Sequence, residues 1–352
     1  GDPFSEILLN KSVNNIKSLN FFKLVDSKII SNNENNTKSI YISVEEKPTG
    51  EIYASAGAGT SGVSFGFGIK ENNFLGNGIG LDSNLLISTD SFKGKFSIIN
   101  PNFNNTDKSI FISAEATEND NYETFGYKTN KTGISIGTDF EYLNDFYLGI
   151  NNSNFYEVIE TNSTASAQQQ AQEGNYWDSF LKFNFNYDKR NQKFQTSDGF
   201  KSFYSLDLPI ISDTNTIKNY YNYSHYFDFF KKNFSSISIY LQSANSLNNK
   251  DIKLSERINI PSSRLRGFEA GRVGPKDGDD FVGGNYSYSI NFASNIPQFF
   301  EESQSIDFLI FADAADIWGV DYNSSIEGDG IRSSIGVALD WMTPIGPMSF
   351  SF

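Results

Sequence analysis

The feature that most constrains this chain is a strict two-residue alternation of apolar and polar side chains, which starts near residue 50 and recurs to the end. The clearest apolar series occupy every second position of residues 63–69, 181–187, 286–292 and 335–341. Side chains of a β-strand point alternately to opposite faces of its sheet. The pattern therefore predicts many strands, each with one apolar, aromatic face and one small, polar face.

A soluble β-sandwich and a membrane β-barrel both produce this alternation. Two observations favour the barrel. The strands recur from residue 50 onward with no helix between them, which is more than one sandwich usually carries, and several apolar faces end in Tyr, Phe or Trp, as in an interfacial girdle. We therefore expect an all-β, antiparallel transmembrane β-barrel, with the soluble sandwich as the alternative.

The average composition is compatible with a membrane location. A barrel that faces lipid outside and water inside needs only every second residue to be apolar, so 38% hydrophobic residues and a mean hydropathy of -0.41 do not exclude one. No run of about 18 apolar residues is present, so no transmembrane helix is expected. No basic leader with an apolar core opens the chain, and we expect Gly1 to begin a mature protein or a fragment.

Charge and residue usage exclude several classes of function. The formal net charge of -14 argues against a nucleic-acid partner, because such proteins neutralise phosphates with Lys and Arg. Cysteine is absent, which removes disulfides, thiolate nucleophiles and cysteine metal ligands. His225 is the only histidine, so the chain alone builds neither a His-dependent triad nor a two-His metal site. We expect no cofactor and no enzymatic activity, and we place His225 in an aromatic girdle or in the lumen.

Two short motifs have a structural explanation and a weaker functional one. Gly57, Gly59 and Gly62 spell GxGxxG, but a dinucleotide fingerprint needs a helix after it, and here Gly62 opens another alternating strand. Glycines in a barrel strand are better explained as points where the sheet bends or an edge stays weak. The acidic segment 277–280 lacks the spacing and the closing Glu of an EF-hand, so we favour an ordinary acidic loop over a calcium site.

Residues 1–49 differ from the rest of the chain. Apolar residues from Leu9 to Leu19 recur at helical spacing and predict a short amphipathic helix. Strand-like runs follow at 23–30 and 39–46. A helix and a hairpin are too little chain to close a core alone, so we interpret this unit as the back half of a small α/β module.

One long Gly-rich loop carries residues that are unusual for a solvent-exposed loop. Arg266 and Phe268 lie in a loop between two clearly alternating strands. In a solvent-exposed loop, an Arg side chain adds little stability and a Phe side chain is unfavourable. Both are explained if the loop folds inward, where a desolvated guanidinium needs a carboxylate from the barrel wall. Asp313, on the same strand face as Asp307, is our candidate partner. By contrast, the low-complexity segment 161–172 is expected to be a long exposed loop.

These residues resemble the barrel-assembly branch of the outer-membrane assembly and translocation superfamily. The Arg-Gly-Phe loop motif of that family is matched at 265–268, its Gly-Pro-Lys tract at 274–276 and its strand-opening Gly-Gly-Asn at 283–285. Similar stretches lie at 62–76, 308–318 and 337–346, and residues 19–25, with their paired phenylalanines, resemble the C-terminal half of a POTRA module.

The resemblance implies a fold and two domains. The fold is an all-β transmembrane antiparallel barrel, of sixteen strands in the family, at residues 50–352, and its last strand is expected to be missing here. Before it, residues 1–49 are expected to form the C-terminal part of a periplasmic α/β POTRA module.

The resemblance also implies roles for loop residues. Arg266 is expected to anchor the inward-folded loop through Asp313, with Gly267 and Phe268 completing the tip of the loop. Asn291 occupies a position where the family often has a glutamate as a second acceptor. Its neutral amide is expected to bond the guanidinium and to leave the charge balance to Asp313.

A weak lateral seam is expected beside the first barrel strand, residues 51–60. Small residues dominate this strand, among them Ala54, Ala56, Gly57 and Gly59. They offer little side chain for packing against a neighbouring strand, so pairing along the seam should be weak.

The implied function is that of an insertase, which folds β-barrel proteins into the bacterial outer membrane through this seam. The implied partners are unfolded outer-membrane β-barrel clients, accessory assembly lipoproteins bound through POTRA modules, periplasmic chaperones and outer-membrane lipids. Nucleic acid, metals and cofactors are not expected. The alternative within the superfamily is a secretion pore that exports a partner protein, whereas a passive porin gives no reason for an inward Arg-Gly-Phe loop.

Overall fold

Most of the chain forms one antiparallel sheet that curls into a barrel. The computed structural model describes residues 3–32, 37–59, 62–192, 195–231, 233–296, 306–343 and 346–352. Within these ranges the main sheet has 15 strands, a 2-stranded sheet precedes it, and a further 2-stranded ladder lies inside a long loop.

A helix and a hairpin precede the barrel. They are α1 (Glu6–Ser18), β1 (Phe22–Asn32) and β2 (Thr37–Glu46). Leu9 and Val13, one helical turn apart, are buried, whereas both strands are exposed along nearly their whole length. The order of helix, strand and strand is the one expected for residues 1–49. The assignment of this unit to a POTRA module stays a prediction.

The barrel strands follow one another in chain order, with one short hairpin between them. They are β3 (Gly50–Gly59), β4 (Gly62–Phe74), β5 (Ile79–Ser88), β6 (Ser91–Asn100), β7 (Lys108–Asn121), β8 (Tyr127–Leu143), β9 (Phe146–Thr161), β10 (Gly174–Asp188), β11 (Gly199–Pro209), β12 (Thr216–Phe227), β13 (Ser235–Ser246), β16 (Tyr286–Asn295), β17 (Ile306–Trp318), β18 (Arg332–Thr343) and β19 (Gly346–Ser351), with the hairpin strands β14 (Lys276–Asp277) and β15 (Asp280–Phe281).

The two edges of the sheet meet at a seam. Sheet order runs from β19 through β18, β17, β16 and β13 and then back strand by strand to β3, and every neighbouring pair is antiparallel. Cα atoms of the edge strands β3 and β19 approach within 8 Å of each other. These described strands number fifteen, whereas the resemblance led us to expect a family barrel of sixteen with its last strand missing.

The apolar faces of the strands point outward. In β4, Phe65 and Phe67 are 49% and 52% exposed, whereas the alternating residues Gly66 and Gly68 are buried. In β18, Ile335 is 85% exposed. Within the described residues no second sheet packs on these faces, so the soluble sandwich is excluded. The predicted all-β barrel is confirmed, with its apolar face directed outward.

An aromatic ladder crosses the outer face of β9 to β12. Phe146 packs edge-to-face on Tyr187, which packs edge-to-face on Phe200, with ring centroids 5.9 and 5.3 Å apart. Phe200 is followed by Tyr223 at 6.0 Å. His225 is exposed on the same outer face, 6.0 Å from the ring of Phe227. This arrangement is that of an interfacial girdle, which accounts for His225 without a ligand.

The inner faces of the strands enclose a polar lumen. Lys93 and Glu115 form an ion pair of 3.3 Å between β6 and β7, and Lys182 and Asp207 form one of 3.1 Å between β10 and β11. A cavity of about 580 Å³ lies among these side chains and is also lined by Lys131. The lumen is therefore charged but locally neutralised.

The barrel is taller on one side than on the other. Strands β8, β9 and β10 have 17, 16 and 15 residues, whereas β3, β5 and β6 have 10 each. At about 3.3 Å per residue, the tall strands are longer by about 17 to 23 Å. Of these short strands, β3 borders the seam.

The segment expected to be a long exposed loop, 161–172, is partly buried. It forms the short helix α3 (Ala167–Gln170), which begins with a capping box between Ser166 and Gln169. Gln169 is 0% exposed, and its amide donates to the carbonyl oxygen of Phe125, at the end of α2 (Tyr122–Phe125), over 2.8 Å. The segment is a long loop, as expected, but it is only partly exposed, because Gln169 finds a backbone partner on a neighbouring loop.

None of the helices in the described part of the chain combines the length and the apolar character needed to cross a bilayer.

A charge placed on the outer face should act differently from one placed in the lumen. Ile112→Arg, at an outward position of β7 that is 53% exposed, is expected to lower the free energy of unfolding in lipid vesicles by about 2–4 kcal/mol. Thr117→Arg, on the inner face of the same strand beside the cavity, is expected to change it little. Urea titration of both variants in vesicles measures this difference, and equal effects would contradict the outward assignment.

Candidate functional site

Residues 247–285, between β13 and β16, fold back into the lumen and are called the inward loop. Because β13 and β16 pair directly, the loop leaves and re-enters the wall at one rim of the barrel. Ile252, Leu254 and Leu265 of this loop are each 1% exposed. A loop with such burial is packed inside the barrel and does not extend from its rim.

The inward loop builds a small apolar core against the wall. Its residues Ile258, Leu265 and Val273 cluster with Ala315 and Ile317 of β17, and Phe268 packs against the edge of this cluster. Small wall residues such as Ala315, which is 0% exposed, let the loop approach closely. Phe268 is thus placed inside the barrel, as expected from the sequence.

Five glycines of the loop have a positive φ, which favours glycine, and two of them lie at the motif and at the wall. Gly267 has φ of +84°, next to the arginine of the motif, and Gly274 has φ of +113°. A Cβ atom on Gly274 would also lie 2.3 Å from Cγ2 of Ile317, so the loop backbone touches the wall there. The motif glycine Gly267 turns the chain at the tip.

Arg266 and Asp313 form a bidentate ion pair inside the barrel. Nε of Arg266 donates to Oδ2 of Asp313 and an Nη atom donates to Oδ1, both over 2.7 Å. The backbone N–H of Arg266 also donates to Oδ2 over 3.1 Å. The side chain of Asp313 is 0% exposed and the guanidinium stacks 3.8 Å from the ring centroid of Phe311. Such a desolvated pair is favourable only with this complete set of partners.

Asn291 has a different bonding pattern from the one expected. Its side-chain amide donates to Oδ1 of Asp313 and to the carbonyl oxygen of Arg264, both over 2.8 Å. It therefore bonds the carboxylate and the loop backbone and supports Arg266 indirectly. The expected bond from Asn291 to the guanidinium was therefore wrong. The amide N–H is a donor, so it bonds the carboxylate of Asp313, which also accepts from the guanidinium.

A second arginine of the inward loop was not identified from the sequence. Arg257 forms an ion pair with Asp321, in the loop after β17, and donates to Oδ1 of Asn285 over 3.2 Å. Its guanidinium lies 4.9 Å from the ring centroid of Tyr322. Burial is the largest cause of the raised pKa of Tyr322, followed by the nearby charge of Asp277. Arg257 lies outside the motif, and nothing in its local sequence distinguishes it from a surface arginine.

The seam strand β3 pairs completely on one side only. Its ladder with β4 runs from Gly50 opposite Glu71 to Gly59 opposite Gly62. Ala54 and Ala56 are exposed on this strand. On its other side lies the second sheet edge, β19. The residues expected to form the weak seam are Ala54, Ala56, Gly57 and Gly59, and all of them lie on this edge strand. Their role in opening the seam stays a prediction.

A family model and curated relatives match this sequence. The model described as Omp85 superfamily domain matches residues 73–352. Outer membrane protein assembly factor BamA of Nitratidesulfovibrio vulgaris is 23% identical over 369 residues, which cover 100% of this chain and 45% of that protein. Outer membrane protein assembly factor BamA of Neisseria meningitidis serogroup B is 31% identical over 117 residues, 25% of this chain and 15% of that protein. The chain thus spans less than half the length of these relatives.

Solved structures share the fold. BamA from Haemophilus ducreyi lacking POTRA domains 1-3 superposes with a TM-score of 0.87 at 22% identity, over 98% of this chain and 74% of that one. CdiB from Acinetobacter baumannii superposes with a TM-score of 0.55 at 10% identity, over 98% of this chain and 63% of that one. CdiB from Escherichia coli superposes with a TM-score of 0.57 at 11% identity, over 100% of this chain and 65% of that one. The barrel predicted from the loop motif and the alternation is therefore confirmed.

The amide network around Asp313 leads to a prediction at Asn291. Asn291→Glu removes the donor to Asp313 and places a second carboxylate beside it, so the free energy of unfolding is expected to fall by about 1–3 kcal/mol. Asn184→Glu, at a lumen position beside an open cavity, is the matched control and should change it little. Urea titration in vesicles measures both. Unchanged stability of the Asn291 variant would show that a glutamate pairs with Arg266 instead.

Proposed function

We propose a function for this chain on the premise that it belongs to the Omp85 superfamily, whose domain model matches residues 73–352. The proposed function is assembly of β-barrel proteins in the bacterial outer membrane, by insertion of client strands at the seam between β3 and the opposite edge of the sheet. The observation that carries it is the meeting of two sheet edges beside a strand of small residues. No covalent chemistry, nucleotide or cofactor is required, so the chain is proposed not to be an enzyme.

The composition of β3 supports an openable seam. Side-chain pairs across neighbouring strands each stabilise a sheet by about 0.2–1 kcal/mol relative to alanine pairs. From Ala54 to Gly59 the strand carries only Ala, Ser and Gly, so little of this energy is available at the seam. Once open, β3 presents unpaired N–H and C=O groups, which are costly in lipid, and an incoming client strand satisfies them by β-augmentation.

The uneven height of the barrel supports insertion of clients on the side of the barrel where the seam lies. β3, which borders the seam, has 10 residues and is shorter than β8 to β10 on the far side of the barrel. A short apolar span is accommodated by thinning of the adjacent bilayer. Thinner lipid beside the seam lowers the barrier for a client strand to cross.

The contacts of the inward loop indicate that the wall around β17 is stiff, whereas the edge of the sheet next to it is free to move. Asp313, the partner of Arg266, lies on β17, which is followed in sheet order by β18 and then by the edge strand β19. The loop core also packs on β17. We infer that the loop immobilises this wall, so that opening is confined to the seam.

The partners follow from this function. Clients are unfolded outer-membrane β-barrel proteins, and outer-membrane lipids surround the outward apolar face. Residues 1–49 are proposed to be the last part of a periplasmic POTRA region, which would bind accessory assembly lipoproteins and periplasmic chaperones. Both curated relatives are outer membrane protein assembly factors, which supports this assignment.

Locking the seam tests the proposal. In the full-length protein, Ala56→Cys is paired with a cysteine in the strand that neighbours β3 across the seam. The oxidised variant is expected to lose assembly of client barrels into proteoliposomes, because β3 can no longer accept a strand, and reductant should restore it. Heat-modifiable mobility of the client on gels measures the folded fraction.

The control lock joins β3 to β4, across a ladder that stays closed in the proposed mechanism. Ala54→Cys with Phe67→Cys links the directly opposite residues of β3 and β4, and it should leave assembly unchanged. Wild-type assembly by the oxidised seam variant would overturn the proposal. A superfamily secretion pore would keep exporting its partner with the seam locked, because the cargo passes through the lumen, and its depletion would affect that cargo alone.

A further inference from the structure

A buried lysine of the inward loop lies between two buried carboxylates of the wall. Nζ of Lys253 is 2.7 Å from Oε2 of Glu157 on β9 and also donates to Oδ2 of Asp178 on β10. The three side chains are 1%, 2% and 0% exposed, respectively. The Arg-Gly-Phe motif does not include this lysine, and neither the seam nor the Arg266 pair involves it.

The residues that follow Lys253 also bond to the wall or to neighbouring loops. The backbone N–H of Leu254 donates to Oε1 of Gln172 over 2.8 Å, and its carbonyl oxygen accepts from the hydroxyl of Tyr127 over 3.1 Å. The hydroxyl of Ser255 donates to Oε2 of Glu157 over 2.9 Å. Glu256 pairs with Lys218 over 3.3 Å. Residues 253–256 are therefore fixed to the strands β8, β9, β10 and β12 and to the loop that carries Gln172.

This contact is far around the barrel from the Arg266 pair. Arg266 is bonded to β17, and β9 follows β17 in sheet order only after β16, β13, β12, β11 and β10. The inward loop therefore spans the lumen from one wall to another. It also lines the cavity of about 580 Å³ through Ser255 and a second cavity of about 560 Å³ through residues 255–259.

We propose that Lys253 is a second anchor of the inward loop, and that the anchors at Lys253 and Arg266 together stretch the loop across the lumen as a plug that closes it to ions. The proposal concerns permeability and does not rest on the assembly function. Without Lys253, residues 253–256 would lose their ion pairs to β9 and β10.

The charges at this anchor are balanced only while Lys253 is in place. Glu157, Asp178 and Glu256 face Lys253, Lys218 and Lys131, which lines the same cavity. Burial acts to lower the pKa of Lys253, but the charges of Glu157, Glu256 and Asp178 outweigh it and raise this pKa above its ordinary value. Without the ammonium, Glu157 and Asp178 would be two like charges with almost no access to water, which is strongly unfavourable.

Conductance of the full-length protein in planar lipid bilayers tests the second anchor. Lys253→Met is expected to raise the frequency and size of channel openings several-fold, because the loop withdraws from β9 and β10. Lys253→Met combined with Glu157→Gln and Asp178→Asn removes the unbalanced charge but not the loss of the anchor, so it should still conduct more than the wild type, although less than the single variant. Lys250→Met, an exposed lysine in the same loop, is the matched control.

A labelling measurement keeps the test decisive if a variant folds poorly. Leu254 is 1% exposed, so in the Leu254→Cys variant a membrane-impermeant maleimide should react slowly, and in folded Lys253→Met protein it should react fast. Heat-modifiable mobility selects the folded fraction. Wild-type conductance and slow labelling in folded Lys253→Met protein would overturn the proposal, as would a triple variant that conducts no more than the wild type.

Discussion

Every backbone N–H and C=O group that faces lipid must have a hydrogen-bond partner, because water is absent there and each unsatisfied group costs several kcal/mol. Among the described residues, the fifteen-stranded sheet meets this requirement along its ladders, and β3 has a ladder on one side only. A sheet edge inside a membrane is therefore both a weakness and a reactive surface. In the proposed function, the small residues of β3 keep the energy of closing this edge low, which an insertase needs and a passive pore does not.

The inward loop converts a water-filled lumen into a partly packed interior, and it does so with buried charges. Arg266 is matched by Asp313, Arg257 by Asp321, and Lys253 by Glu157 and Asp178. Removing one member of such a pair is costly because the other is left uncompensated. A loop fixed in this way has few alternative positions. Stiffness of this wall and weakness of the seam are complementary features of one barrel.

The sequence predicted what depends on local pattern. The alternation in residues 63–69 and 335–341 was sufficient to assign strands and their outward faces, since neighbouring residues define both. Asp313 was identifiable as a carboxylate on an inner face opposite a loop arginine. The partners of Lys253 were not, because Glu157 and Asp178 are distant in sequence and resemble any lumen carboxylate. The burial of Gln169 depends likewise on a neighbouring loop, which no local pattern contains.

The orientation of the strands is the central claim, and the three tryptophans report it directly. Trp177, Trp318 and Trp341 all lie on outward faces, 47%, 42% and 42% exposed. The decisive measurement is the intrinsic fluorescence of the protein reconstituted in vesicles of lipids brominated along their acyl chains. Strong quenching by bromine, with little quenching by aqueous acrylamide, is the predicted result. Fluorescence that bromolipids leave unchanged would contradict the account, because the apolar faces would then pack away from lipid.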